Sequence, residues 1–450
     1  MNADQRRWKE GRVRCSASRS SFNYLRASAF ICGLTLLLGC QSSKVEKEGR
    51  RGVQDYLAGN YSGAANKLTP LAQQTDENYV LNNLRLGSAA LAAYDLNTAE
   101  AAFLKAWEVI NAGGVNSGAR SVAAVWIDEK LKIWKGEPYE RALASFDLGL
   151  VYLMRNDFNN ARAAFENALF KLRDYASDKD EKKDYTEQES TFVLAHVLLG
   201  RCWQRLGRED LARGTFDTVT KLRPDLAPLA DYDRQAGTNV LLVVEYGYGP
   251  RKREDFDNGT TMAFAPTPQT AGQIPPVRVL VDGRPYPLAG TDRPTIDTIA
   301  MAQDRRWQSI DTIRVTKSVI GTGLIAGGAG YGLYRLNEGR MRAEDAAIVG
   351  GLVAVGALLR ASSNADLRQW EMAPRTVFLL PLTLPPGTHD VTVDFPAVGV
   401  GQSWRGLVVP QYGDVTYYFR MNRWVPGPFV WPPNSPAASP GGFVSADALK

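Results

Sequence analysis

"GLVYLMRNDFNNARAAFENA" fills residues 149–168 and places Gly149, Tyr152, Ala161, Phe165 and Ala168 at offsets 0, 3, 12, 16 and 19. Apolar residues recur through it at helical spacing, and "MRNDFN" breaks the pattern once, so the stretch reads as two helices joined by a tight turn. The same offsets return elsewhere. Gly87, Ala99, Phe103 and Ala106 form one copy; Gly200, Ala212, Phe216 and Val219 form another, with Trp203 at offset 3 and Pro224 at offset 24. A worn copy begins at Gly52, with Ala64, Leu68 and Leu71. Self-similarity at this period marks a stack of helix pairs, each burying its apolar face against the next.

The pattern resembles the tetratricopeptide repeat (TPR), in which small residues let the first helix of a pair approach the second. The resemblance implies an aromatic at offset 16 that fills the gap to the next repeat. The first two copies stand 35 residues apart, and the later gaps widen to 62 and 51. "NAGGVNSGARSVAAVWIDEKLKIWKGEP" accounts for the first widening and is expected to hold a helix around Ser121 to Trp134. The second, "RDYASDKDEKKDYTEQES", is mostly charged and reads as a solvated extension. A repeat domain over 48–230 is therefore expected. Such solenoids present a concave surface to a peptide or protein, and Arg201, Gln204 and Arg205 on the last first-helix are the candidate partner contacts.

From Thr238 the texture changes. "NVLLVVEYGYGP", "PVRVLVDGRPYPL", "RTVFLLPLTLPPGTHDVTVDFP" and "GLVVPQYGDVTYYFRMNR" are β-branched and aromatic runs separated by Gly, Pro and Asp. They predict an antiparallel β domain over 238–424, with a sandwich as one arrangement; the strand pattern resembles small transthyretin-like or PEGA-like sandwiches. Inside it, residues 318–334 and 346–359 are apolar and glycine-rich, joined by charged "RLNEGRMRAED". They predict a helical hairpin at about 312–362, since Gly323/Gly327, Gly328/Gly332 and Ala346/Gly350/Ala354 recur every four residues. At 17 and 14 residues both helices fall short of the ~20 that span a bilayer, which favours burial against protein over insertion. Gly321-Thr322-Gly323-Leu324-Ile325-Ala326 imitates a dinucleotide fingerprint but lacks the βαβ context that motif requires. The overall expectation is an α+β multidomain chain: an all-α solenoid, then the β domain with its hairpin, then a disordered Pro/Gly-rich tail at 425–450.

The N-terminus reads as an export signal. Arg6, Arg7, Lys9, Arg12, Arg14, Arg19 and Arg26 precede an apolar run from Ala27 to Leu38. Leu37-Leu38-Gly39-Cys40 resembles the bacterial lipobox, which implies cleavage after residue 39, acylation of Cys40 and a short tether over 40–47. Acyl chains bind membranes through roughly 0.8 kcal/mol per buried CH₂. Gln41 rather than Asp after the cysteine implies transfer to the outer membrane. Residues 1–39 carry seven Lys+Arg and two Asp+Glu, so removing them from 53 and 48 leaves 46 of each sign. That balance gives no basis for a nucleic-acid partner. Cys15 and Cys32 leave with the signal, and Cys202 stays as the one unmodified thiol, so no internal disulfide is expected.

With lipobox, repeats and β segment together, the chain resembles a group of bacterial TPR lipoproteins with no settled activity. "EYGYGPRK", with Glu245, Gly247, Pro250 and Lys252, and "ADLRQWEMAP", with Asp366, Arg368, Trp370 and Pro374, carry the resemblance, along with "YERALASFDLGLVYL". Asp366, Arg368 and Trp370 are expected to form a salt bridge and a stacked cap where the hairpin returns to the sheet. His196 and His389 are the only histidines, fall in different domains and have no acid or thiol at ligand spacing, so no metal and no cofactor is expected. No P-loop, G-x-S-x-G elbow or H-E-x-x-H is present. The chain is expected to be a non-catalytic scaffold for unidentified envelope proteins, joined to the membrane by its lipid. Alternatives are a membrane-complex subunit using the hairpin, or an envelope hydrolase or transferase built on a carboxylate pair.

Overall fold

The computed structural model describes residues 46–111, 133–172, 190–254, 262–265, 274–303, 368–421 and 429–430. The expected signal segment, Cys40, the hairpin, Asp366, the charged insertion and nearly all of the helix expected at 121–134 lie outside them. Ile133 and Trp134, at the end of that helix, are described and are not helical. The chain divides into two units at Arg50/Arg51. In the first, residues 46–50 are helical and Glu46 pairs with Arg50 at 2.9 Å.

The second unit opens with four helix pairs: α1 (51–57) with α2 (Tyr61–Ala72), α3 (Tyr79–Ala92) with α4 (Leu96–Asn111), α5 (Pro138–Met154) with α6 (Phe158–Phe170), and α7 (Val193–Arg205) with α8 (Glu209–Leu222). Each pair closes on the repeated glycine. A Cβ on Gly87, Gly149 or Gly200 would lie 2.5–2.7 Å from Cε1 of Phe103, Phe165 or Phe216, and one on Gly52 would lie 2.7 Å from Cγ of Leu68. The offset-16 ring therefore seats on the glycine of its own repeat, instead of serving only the gap to the next.

The turn within each pair is also periodic. Offset 7 takes a left-handed backbone in all four: Gly59 (φ 86°), Tyr94 (62°), Asn156 (58°) and Gly207 (71°). The next residue donates its N–H five residues back, Asn60 to Asp55, Asp95 to Ala90, Asp157 to Tyr152 and Arg208 to Trp203, the closing bond of a Schellman turn. In three pairs the side chain of that residue also caps the next helix: Asn60 accepts from Gly63 N, Asp95 from Thr98 N and Asp157 from Asn160 N. One residue thus ends one helix and starts the other.

After a 3₁₀ turn (Pro224–Leu229) and α9 (Tyr232–Ala236), the strands follow. They are β1 (Val240–Tyr246), β2 (Arg251–Glu254), β3 (Met262–Ala265), β4 (Arg278–Val281), β5 (Arg284–Tyr286) and β6 (Ile296–Asp297). After α10 (Thr298–Gln303) come β7 (Thr376–Leu382), β8 (Gly387–Phe395), β9 (Val400–Val409), β10 (Val415–Met421) and β11 (Phe429–Val430). One sheet runs β10-β1-β7-β6, a second runs β11-β9-β8-β4-β5, and β2 with β3 makes a ribbon. The purely antiparallel expectation is corrected: β10 lies parallel to β1, and β11 parallel to β9. Parallel neighbours need a long connection, which both pairs have, since β1 and β10 are separated by most of the β domain. Phe429 and Val430, in the stretch expected to be a disordered tail, supply that last strand.

The two sheets enclose one core, in which Trp404 stacks on Phe419 at 3.8 Å and Phe378 meets Phe395 at 5.4 Å. β8 alternates exposed and buried residues, as a strand with one wet face should. β1 and β7 are buried nearly throughout and read as continuous apolar runs, because helices cover the face opposite the core. The order is helices, first sheet, second sheet. Among the described residues no helix is long and apolar enough to cross a membrane.

The glycine contacts make a paired test. Gly149→Ala should cost about 1–3 kcal/mol by overpacking against Phe165. Gly214→Ala, mid-helix with nothing within 4 Å of the added carbon, should stabilise by roughly 0.5–1 kcal/mol. Urea unfolding of the two variants measures both.

Candidate functional site

The apolar, inward face of α3, α5 and α7 would be the expected docking groove. It is buried almost end to end, and the chain's own β10, β1 and residues 368–375 lie against it. Polar contacts fix this seam at three levels.

At the first level stands Asp414, just before β10. Arg201 Nη2 reaches its Oδ2 at 2.9 Å and Arg205 Nε shares the same oxygen, while Asn156 Nδ2 donates to its carbonyl at 3.1 Å. Arg201 is 1% exposed and also donates to Gln235 Oε1 and Thr238 Oγ1. Burial lowers its pKa to about 10, against the raising effect of Asp414. Gln204 Nε2 donates to the Tyr232 carbonyl. The assignment of Arg201, Gln204 and Arg205 to an outside partner is thereby corrected: they are committed to the chain's own β domain and its approach.

At the second level the outer edge of β10 meets side chains where a neighbouring strand would otherwise lie. Tyr94 OH donates to the Tyr418 carbonyl at 2.5 Å and accepts from Tyr418 N at 2.8 Å, and Tyr61 OH donates to the Arg420 carbonyl at 2.9 Å. This satisfies backbone groups that an open edge would leave exposed. Tyr94 and Asn156 are the two offset-7 residues that are not glycine; Tyr94 spends its side chain on this strand and Asn156 on the residue before it. Arg420, 3% exposed, donates to Tyr56 OH at 3.0 Å and to the Gly247 carbonyl at 2.7 Å, with Glu245 Oε2 at 3.8 Å. Tyr418 OH donates to the same Glu245 oxygen at 2.7 Å. Asp147 of α5 lies in the field of both. Burial first, and the Glu245 charge second, push its carboxyl well above the usual range, while Arg420 opposes. Two carboxyls facing one guanidinium favour keeping a proton on the pair.

The third level joins α5 to β2 and residues 368–371. Glu140, fully buried, accepts from Trp370 N at 2.7 Å and, as half of a capping box, from Glu137 N at 2.7 Å. Lys252 Nζ donates to Glu137 Oε1 at 2.9 Å and to the Arg368 carbonyl at 2.8 Å, with Glu140 at 3.9 Å. Burial raises the Glu140 pKa to about 7; Lys252 opposes the rise. Trp134 Nε1 donates to the Arg368 carbonyl, Arg368 Nη1 to the Glu77 carbonyl, and Trp370 Nε1 to Ser88 Oγ. Arg85 forks onto Glu371.

Of the eight motif residues, Glu245, Gly247, Lys252, Arg368 and Trp370 hold contacts in this seam. Gly247 takes φ 71°, and Thr298 Oγ1 donates to the Pro374 carbonyl; Pro250 is buried. Asp366 is outside the described residues. Arg368 anchors to the backbone of the α2–α3 turn. Sequence reasoning missed Asp414, Asp147, Glu140 and the tyrosines. Two signals were available: charged residues inside the otherwise apolar α5, and the departure from glycine at offset 7.

Chemically the seam holds and does not expose. Cys202 is buried, and burial pushes its thiol to about 12. His196 Nε2 lies 2.9 Å from the Ser190 carbonyl, and His389 sits between Asp282 and the Pro385 carbonyl. Among the described residues no cluster of His, Cys, Asp or Glu could hold a metal ion.

No family model matches the chain, and none of the curated proteins does. Among solved structures, one described as MamA is 16% identical over 41% of this chain and 88% of its own, with a TM-score of 0.27. A second MamA structure is 18% identical over 42% and 79%, with a TM-score of 0.28. Scores this low leave the repeat assignment resting on the chain's own glycines, turns and contacts.

Two measurements probe the seam. Asp414→Ala should cost about 3–5 kcal/mol in urea unfolding, because it strands a buried arginine. The second concerns pH. A carboxyl whose folded pKa is about 7, above its unfolded 4.5, binds its proton more tightly when folded. Its contribution is complete below pH 4.5 and is lost as pH rises to about 7, by about 3 kcal/mol. Glu140→Gln should flatten the urea midpoint between pH 5 and 7 relative to wild type; parallel curves would refute the assignment.

Proposed function

We propose that the protein is a non-catalytic, lipid-anchored scaffold on the periplasmic face of the outer membrane, holding other envelope proteins through its helical repeats. One observation carries the reading: the repeat array and the strands are locked together by the Arg201–Asp414 and Lys252–Glu137 ion pairs, giving a stiff body whose outward helices α4, α6 and α8 remain on the surface. Stiff repeat arrays suit docking because little order is lost on binding. Cys40 is the proposed attachment point, with Gln41 favouring the outer membrane. The partner surface is moved from the concave groove, which the chain fills itself, to the outward side.

The proposal has two separable parts. Metabolic labelling with an alkynyl fatty acid should mark the wild-type chain and leave Cys40→Ser unmarked, with the wild type in the outer-membrane fraction. Label on both, or on neither, would remove the anchor. Crosslinking in intact envelopes from photoreactive residues on α6 and α8 should capture one defined protein, and the reciprocal experiment should recover this chain. Failure of both directions would remove the scaffold.

A further inference from the structure

Among the described residues, the outward side of the array carries one junction that a side chain fills and one that none does. Where repeat two meets repeat three, Trp107 of α4 (offset 20) donates its Nε1–H to Asn167 Oδ1 of α6 (offset 18) at 3.1 Å. Ser145 of α5, four residues before its repeat glycine, donates to the same oxygen at 2.9 Å. The indole spans the gap between α4 and α6.

Repeat three meets repeat four through the equivalent positions, occupied by Leu169, Thr218 and His196. Leucine is smaller than tryptophan, and here α6 and α8 stand over a cleft of about 750 Å³ lined by those three residues together with Leu199 and Leu211. That volume is within the range of sites that enclose a ligand. Phe170, on its wall, is 50% exposed, one of few large apolar side chains so displayed among the described residues. The lining also carries Glu166 and Asp210 and no Lys or Arg. Both carboxylates have arginines nearby, Arg162 at 2.9 Å and Arg208 at 3.7 Å, in half-exposed or exposed pairs. Such pairs are worth little, so the carboxylates are free to meet a second cation.

We propose that the α6–α8 cleft receives an aromatic side chain, tryptophan above all, carried on a cationic peptide segment of a protein partner. The chain's own filled junction supplies the chemistry: an indole fits between successive outward helices and gives its N–H to the residue at offset 18. Thr218 stands at that offset here, and its hydroxyl is of a type that both donates and accepts. The apolar floor takes the ring, and the two acids at the rim select flanking lysine or arginine. This deepens the scaffold reading and rests on it.

The test uses the full chain and a fluorescein-labelled Lys-Lys-Leu-Trp-Lys-Lys peptide followed by anisotropy. Saturable binding is expected, at least tenfold weaker when the peptide tryptophan is alanine or its lysines are glutamates. Leu169→Trp, which copies the filled junction, should reduce binding at least tenfold with an unchanged urea midpoint; Thr218→Arg should do the same by adding a cation. No saturable binding, equal binding of the glutamate peptide, or full binding by Leu169→Trp would overturn the proposal. Self-association that Leu169→Trp abolishes would assign the cleft to a second copy and equally overturn it. If the envelope crosslinks persist in Leu169→Trp, the scaffold reading stands and the cleft alone fails.

Discussion

Everything between the helices and the strands is organised around a guanidinium out of water. Arg420 cannot lose its charge, so its surroundings must supply acceptors or the strand that bears it could not be buried. Four parts of the chain do so: Tyr56 from the first repeat, Glu245 from β1, and the carbonyls of Gly247 and Met372 from the loops that follow β1 and precede β7. Each of those groups is fixed in turn. Gly247 needs its left-handed backbone to offer its carbonyl, and Glu245 is oriented by Tyr418. The packing of α5 adds Asp147 to the same field, where burial and the Glu245 charge raise its pKa while Arg420 opposes the rise. Such an arrangement adds little net stability compared with an apolar core, but it tolerates one register only.

Much of the architecture was legible because it repeats. Gly87, Gly149 and Gly200 recur with phenylalanines sixteen residues on, and that spacing can arise only if the two helices of a pair touch there. The strands were legible from β-branched runs bounded by Asp-Gly and Pro-Gly. Parallel pairing of β10 with β1 was not, because register between strands some 170 residues apart leaves no local trace. The seam was hidden for a related reason. Arg201 and Arg205 on a first-helix look like groove residues waiting for a partner, and nothing near them in sequence names Asp414. Glu140 and Asp147 did carry a signal, being acids two turns apart on one face of an apolar helix. A buried acid in such a helix asks for a counter-group, though not which one.

The offset-7 position shows how a repeat is adapted without being broken. Its backbone is left-handed in every copy, which glycine meets at no cost and which Tyr94 and Asn156 meet at a small one. Both side chains recover that cost by satisfying β10 and the residue before it. A general turn element has become a pair of strand-edge acceptors and donors, and a concave surface that other solenoids leave open is filled by the protein itself.

β10 also sets a timetable. The strand lies between β1 and the tyrosines, and its polypeptide comes late among the described elements to emerge during synthesis or export. Until residue 421 has been delivered, β1 has a bare edge, Glu245 lacks its arginine and Arg201 lacks its aspartate. The repeats can coil beforehand, yet their inner face stays wet and apolar for the whole interval. A nascent or stalled chain is thus the form most in need of a chaperone, and β10 is the clasp that ends that need.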